Sequence, residues 1–248
     1  MVSPLLALLL AAAPGPSPAP TLVVLDGWVV ASFAEGRWSA PERKRICETS
    51  WQLYPISGPG EPRKVTCSAE DESAPESVYL TPAKSPGSGQ LELSAKPPAS
   101  PRTPVALPKD SKLYLDVLKK HLGKKRLGPQ IHQLERVDLD GDGTDEVLFV
   151  ASSRAVGEQS PARPDDWAIA GIRWVEGKTP KILELARHDK TGEQLGPAEL
   201  RLLGAVDLDG DGRLELILED RDPWGQSVEV WRFDRGKLSS LAKVGAGE

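Results

Sequence analysis

Cysteine, histidine and methionine, which supply thiolate, imidazole and thioether groups to catalytic and metal sites, are scarce in this sequence. Its 248 residues include two cysteines, three histidines and one methionine. The histidines, His121, His132 and His188, fall in no zinc-binding spacing, and the chain contains no nucleophile elbow, phosphate loop or dinucleotide fingerprint. Two cysteines without histidine partners also argue against a zinc site. We therefore expect a protein that is not an enzyme.

An excess of positive charge and long apolar runs are also missing. The formal net charge is −5, which argues against nucleic acid as the main partner. The apolar run from Leu5 to Ala13 is too short to span a bilayer but fits the core of a signal peptide, and no later segment predicts a transmembrane helix. We interpret residues 1–20 as a signal peptide and linker, and predict export to the periplasm or the extracellular space. An apolar N-terminal tail is the alternative.

The two cysteines fit an exported chain. In an oxidising compartment an even pair predicts one disulfide, here between Cys47 and Cys67. It would close a loop of about 20 residues and so restrict the unfolded chain. The alternative is two buried free thiols, which applies if the chain stays in the cytosol.

Turn-forming residues are abundant in the sequence, which contains 23 glycines and 23 prolines. Short apolar or alternating runs lie between them, so we predict a mainly β fold. We divide the chain into an N-terminal β-rich region (21–95), a Pro-rich linker (96–110) and a helix followed by repeats (111–248). The helix, near 111–123, has Ser111 as its cap and Gly123 at its end. Its predicted apolar face carries Leu113, Val117, Leu118 and Leu122.

The C-terminal half contains an internal repeat. VDLDGDGTDEVLFV, residues 137–150, matches VDLDGDGRLELILE, residues 206–219, at an offset of 69 residues. An alternating segment with a Gly-Lys turn, at Gly177 and at Gly236, follows each copy and predicts a β-hairpin. Repeats of this kind predict stacked or radially arranged β-units, that is, blade-like hairpins in a small or partial propeller-like array.

The chemistry of the repeat lies in its acidic loops. Positions are counted from the first Asp of each loop, Asp138 or Asp207. The Asp side chains at positions 1, 3 and 5 can converge on one point, and Gly at 6 permits the bend. The backbone carbonyl at 7 adds an oxygen, and the Glu side chain at 9 reaches back toward the same point. Calcium needs about six to eight such oxygen ligands. Without a cation, four carboxylates within nine residues would repel each other, which favours a bound ion. The alternative interpretation is an acidic turn that binds nothing. Leu139 and Leu208, between the acids, can point into the core.

An EF-hand does not explain the loops, because position 12 is Phe149 in one loop and Leu218 in the other and strands follow both. The pattern DxDGDGxxE, with apolar residues before it and a strand after it, resembles the FG-GAP/VCBS repeats of integrin-like β-propellers, over roughly residues 131–243. Two units are too few to close the usual ring. The resemblance implies two structural Ca²⁺ ions. One would be bound by Asp138, Asp140, Asp142, Thr144 (carbonyl) and Glu146, and the other by Asp207, Asp209, Asp211, Arg213 (carbonyl) and Glu215.

Taken together, these features favour a calcium-binding interaction module whose ligand is an unknown protein or polysaccharide. The alternatives are a carbohydrate-binding accessory domain of a secreted hydrolytic system and a hydrolase with an unrecognised site. Tryptophans in or beside the hairpins would supply a carbohydrate surface if exposed, or packing if buried. These tryptophans are Trp167, Trp174, Trp224 and Trp231.

Overall fold

The chain is mainly β, as predicted. A computed structural model describes residues 20–56, 61–68, 78–82, 90–95, 102–123, 128–155, 163, 165–188, 199–222 and 225–247. The predicted signal peptide lies outside these residues except for Pro20. In the described part, no helix has the length and apolar character needed to cross a membrane.

The N-terminal region forms one antiparallel sheet in the order β3-β2-β1-β7-β4-β5-β6. Its elements are β1 (Thr21–Leu25), β2 (Trp28–Ala34), β3 (Arg37–Ser39), α1 (Arg43–Cys47), β4 (Trp51–Pro55), β5 (Arg63–Cys67), β6 (Leu80–Thr81) and β7 (Leu91–Leu93). A disulfide joins Cys47 at the end of α1 to Cys67 at the end of β5, which confirms the predicted pairing. Both cysteines pack against an apolar cluster on the outer side of this sheet.

Two four-stranded units follow, each an antiparallel meander. Before them come β8 (Val105–Ala106) and the helix α2 (Lys112–Leu122). The first blade contains β9 (Gln130–Val137), β10 (Glu146–Ser152), β11 (Ala168–Glu176) and β12 (Thr179–His188), and β8 adds to its β9 edge. The second blade contains β13 (Glu199–Val206), β14 (Glu215–Asp222), β15 (Gly225–Asp234) and β16 (Lys237–Gly247).

The sheets stack in a different order from the chain. One core cluster joins the two blades through residues such as Leu148 and Leu216, and another joins the second blade to the N-terminal sheet through Ile217 and Val23. Helix α2 covers the other face of the first blade, where Phe149 packs against Leu118. The helix therefore occupies the face on which a ring would place its next blade. The array is a curled, propeller-like half-barrel with α2 at one end.

The helix itself matches its predicted limits, with Ser111 as N-cap and Gly123 as C-cap at φ +88°. Its predicted apolar face is wrong at one position, because Leu113 is 61% exposed. The buried stripe runs instead through Leu118 and Leu122, flanked by Tyr114 and Leu115. Leu113 lies in the first turn of α2, outside this buried stripe.

The segment predicted as a linker, 96–110, is described from Arg102 onward. In that half it is packed, since β8 pairs with β9 and the Leu107 amide donates to the Leu134 carbonyl at 2.8 Å. Leu107 also joins the cluster beneath α2. This part of the chain therefore belongs to the first blade, while the domain boundaries as a whole stay a prediction.

Candidate metal sites at the sheet junctions

The two acidic loops occupy equivalent places in the two blades. The first joins β9 to β10 and the second joins β13 to β14, and the strand pairs leave each loop in the same register, Val137 opposite Glu146 and Val206 opposite Glu215. Because β-strand side chains alternate, Glu146 shares a face with Leu148, toward the second blade, while Glu215 shares a face with Ile217, toward the N-terminal sheet. Each loop therefore lies at a junction with the next sheet of the stack.

In the first loop, backbone amides hold the carboxylates in place. Asp138 accepts hydrogen bonds from the amides of Gly141, at 2.7 Å, and Gly143, at 3.1 Å. Glu146 reaches back to accept from the Leu139 amide at 2.9 Å. These bonds hold the two acids in place through the loop's own backbone.

The second loop repeats this arrangement. Asp207 accepts from the amides of Gly210, at 2.7 Å, and Gly212, at 3.0 Å, and Glu215 accepts from the Leu208 amide at 2.8 Å. Leu139 and Leu208 are 0% and 4% exposed, so the leucine between the acids points into the core in both loops, as predicted.

Three carboxylates converge in each loop. Oxygens of Asp138, Asp140 and Glu146 lie within 4.8 Å of one another, and so do those of Asp207, Asp209 and Glu215. Two oxygens on opposite sides of a calcium ion are about 4.6–5.2 Å apart, so this spacing suits such an ion. The donor set is oxygen alone, which favours a hard divalent cation over zinc or copper.

The acids at position 5, Asp142 and Asp211, stand outside these clusters. Each accepts a hydrogen bond from the amide two residues on, Thr144 at 2.7 Å and Arg213 at 2.8 Å. Their coordination of a metal, and that of the carbonyls of Thr144 and Arg213, stays a prediction. The glycine at position 4 of the DxDGDGxxE pattern has a left-handed backbone in both loops. Gly141 and Gly210 both have φ of +78°.

Burial disfavours the charged forms of the two loop glutamates, Glu146 and Glu215. Desolvation raises the pKa of Glu146 to about 7, and the neighbouring charges of Asp140, Asp142 and Asp138 act in the same direction. Desolvation also raises the pKa of Glu215 to about 7, but there the hydrogen bond from Arg232 opposes it. In both loops a bound cation would favour the charged form of a group that burial disfavours.

A single arginine distinguishes the second loop. Arg232 on β15 donates from Nη2 to Asp209 Oδ2 and to Glu215 Oε1, the latter at 2.5 Å, and from Nε to the same Glu215 oxygen at 3.0 Å. Its Nη1 lies 3.5 Å from Asp211 Oδ2. Sequence reasoning did not identify this residue.

The first loop has different neighbours. The backbone amide of Arg235, in the β15–β16 turn of the second blade, donates to Asp140 Oδ2 at 2.9 Å. Arg102 donates from Nε to the Asp138 carbonyl at 2.5 Å and from Nη2 to the Gly212 carbonyl at 2.6 Å, so it joins the two loops. A backbone bond from Leu214 to the Leu139 carbonyl, 2.8 Å long, also joins them.

The histidines lie in three separate pairs, consistent with their assignment to no common site. The pairs are His121 with Glu184, His132 with Ser152 and His188 with Asp220. In the second pair the Ser152 hydroxyl also bonds the backbone of Arg154, as a short polar turn does. The histidines therefore bind neighbouring side chains in three different parts of the blades.

Most tryptophans in the described residues contribute to packing. Trp167 is 1% exposed, and Trp174 and Trp231 lie against the cluster between the blades. Trp224 lies outside the described residues. The exception is Trp28, 40% exposed, whose ring centroid is 4.8 Å from that of Tyr79.

Comparison of the chain with protein-family models, with curated proteins and with solved structures found no match. The acidic loops and their junctions are therefore the basis for assigning a function.

Proposed function

We propose that this chain is an exported calcium-binding β-repeat protein of the FG-GAP/VCBS type, in which Ca²⁺ is structural and the assembled sheets present a surface to a protein or polysaccharide. One observation carries the proposal. Two loops, 69 residues apart, hold three converging carboxylates in matching hydrogen bonds, at a distance that suits calcium.

The position of the loops supports a structural role for the ion. In the first loop, Asp140 is both a candidate ligand and the acceptor for the Arg235 amide of the other blade. An ion that fixes Asp140 therefore also fixes the contact between the blades. The disulfide between Cys47 and Cys67 supports export to an oxidising compartment, where calcium is abundant.

The experiment is a calcium titration of the purified protein by calorimetry, with thermal melts in calcium and in chelator and a parallel magnesium titration. We expect calcium to bind at about 10⁻⁴–10⁻³ M or tighter and to raise the melting temperature. Asp140→Asn should remove binding at the first loop. Asp145→Asn is the matched control, because Asp145 is half exposed, lies in the same loop and stands outside the cluster.

Absence of calcium binding at millimolar concentration would refute the proposal. A preference for magnesium over calcium would retain the sites but change the ion.

A carbohydrate-binding accessory domain is the second candidate, favoured by the exposed ring of Trp28, which lies tilted at 52° against the half-buried Tyr79. Sugar rings stack on exposed aromatic faces of this kind. Trp28→Ala should abolish retention on polysaccharide columns if this candidate is correct, and should leave calcium binding unchanged.

A further inference from the structure

The guanidinium of Arg232 lies among the carboxylates where a cation would bind in the second loop. It contacts Asp209 Oδ2 and Glu215 Oε1, oxygens of two of the three clustered acids. Glu215 is 0% exposed and Asp209 8% exposed at the side chain, so water supplies little alternative solvation. Because the same carboxylate oxygens would have to turn to the ion, a metal and the guanidinium compete for the site.

Strand register puts the arginine there. Arg232 on β15 is directly opposite Glu215 on β14, so their side chains share one face of the sheet. In the first blade Val147 lies opposite Arg173, and the next pair along the same register sets Glu146 opposite Trp174. Trp174 in the first blade therefore occupies the strand position that Arg232 occupies in the second.

The first loop also has an arginine beside its cluster, but its ion pair is longer. Within the part of the chain that the structure describes, no lysine or arginine side chain bonds to Asp140, Asp142 or Glu146. Arg102 pairs with the third clustered acid at a longer distance, with Nε 3.9 Å from Asp138 Oδ2, and donates to the Asp138 backbone carbonyl.

We infer that Arg232 is the resident cation of the second loop, so that the two loops differ in their need for metal. This inference rests on the proposed calcium function. The first loop depends more on calcium to offset the charge of its acids, whereas in the second a hydrogen-bonded guanidinium already offsets one negative charge and has to leave before calcium enters. Breaking charge-assisted hydrogen bonds of this kind weakens calcium binding at the second loop by about ten- to a hundredfold relative to the first.

The first test leaves Arg232 in place. Calorimetric titration of the wild-type protein with calcium should show one tight event and at most one weak event. Asp140→Asn should remove the tight event and with it most of the rise in melting temperature, whereas Asp209→Asn should affect only the weak event. Two events of equal affinity, or loss of the tight event in Asp209→Asn, would overturn the inference.

The second test removes the arginine. Arg232→Gln should lower the melting temperature in chelator, and calcium should restore it, with the weak event strengthened about ten- to a hundredfold. Arg221→Gln is the matched control, because Arg221 lies in the same blade and bonds the buried Glu219 in the same way, at 2.9 Å, away from the loop. It should lower stability without strengthening calcium binding.

The two proposals fail differently. If the wild-type protein and Arg232→Gln both bind no calcium, the proposed function is wrong. If both bind two ions with unchanged affinities, the function stands and the role of Arg232 is wrong. If Arg232→Gln does not fold, the first test decides on the wild-type chain.

Discussion

The two acidic loops have the same backbone and different environments. Amides of corresponding residues bond to the aspartate at position 1 and to the glutamate at position 9 with lengths that agree within about 0.1 Å. Yet the neighbouring strand presents Trp174 to the first loop and Arg232 to the second. The loop sequence thus sets the positions of the carboxylates, while the strand beside the loop sets which side chain lies opposite the glutamate.

The same strand position thus serves packing in one blade and charge in the other. Trp174 lies on the β15–β16 turn of the second blade, where a Cβ added to Gly236 would be 2.2 Å from its ring. It also meets Phe233 edge to face, with ring centroids 6.1 Å apart. Gly236 has φ of +81°, so both the turn and the ring require glycine there.

The largest loss of stability is expected when the Trp174 side chain is removed. Trp174→Ala should lower the free energy of unfolding by about 3 kcal/mol, because it leaves a cavity between the blades. The loss should be the same in calcium and in chelator, whereas that of Arg232→Gln should be larger in chelator. Urea unfolding in the two buffers measures both, with Trp174→Phe as the conservative control. A loss at Trp174 that calcium restores would contradict the distinction.

A smaller effect is expected where the loops are joined. Arg102→Ala removes hydrogen bonds to carbonyls in both loops and should cost about 2 kcal/mol. The control is Arg136→Ala, since Arg136 is 54% exposed and pairs with the half-exposed Asp145 at 3.7 Å. It should change stability by less than about 0.5 kcal/mol. Equal effects of the two variants in urea unfolding would show that Arg102 does not join the loops energetically.

Much of the local structure could be predicted from the sequence, because local chemistry determines it. Ser111 and Gly123 bound the helix, and the DGDG segments produce turns whose leucines are buried. The stacking order could not be predicted. The second blade lies between the first blade and the N-terminal sheet, and that order depends on contacts between apolar faces far apart in the chain.

The role of Arg232 was missed for a specific reason. Matching the two hairpins on their Gly-Lys pairs aligns Arg173 with Arg232, which suggests no difference between the blades. In the structure, Gly177 is the first residue of its two-residue turn, whereas Gly236 is the second of its own, so the match is wrong by one residue. In a strand a shift of one residue moves a side chain to the other face, and only the pairing shows which residue meets the loop.

The smallest expected effect is the pH dependence that Glu146 of the first loop contributes to stability. The pKa of Glu146 is about 7 in the folded protein against an ordinary 4.5, so the folded state binds the extra proton between these values. Stability in chelator is therefore highest below the lower value and falls as pH rises through the upper one. From about pH 6 to about pH 8 this group should cost about 1 kcal/mol, or about 2–4 °C in melting temperature.

Glu146→Gln should remove that share of the pH dependence, because glutamine keeps an acceptor for the Leu139 amide and does not titrate. Glu176→Gln, at an exposed glutamate paired with Lys181, is the control and should leave the pH profile unchanged. Saturating calcium should also abolish the Glu146 contribution, since an ion that binds the carboxylate competes with the proton. A profile that Glu146→Gln does not alter would mean that burial does not raise the pKa of Glu146 in the folded protein, and the pH prediction would be wrong.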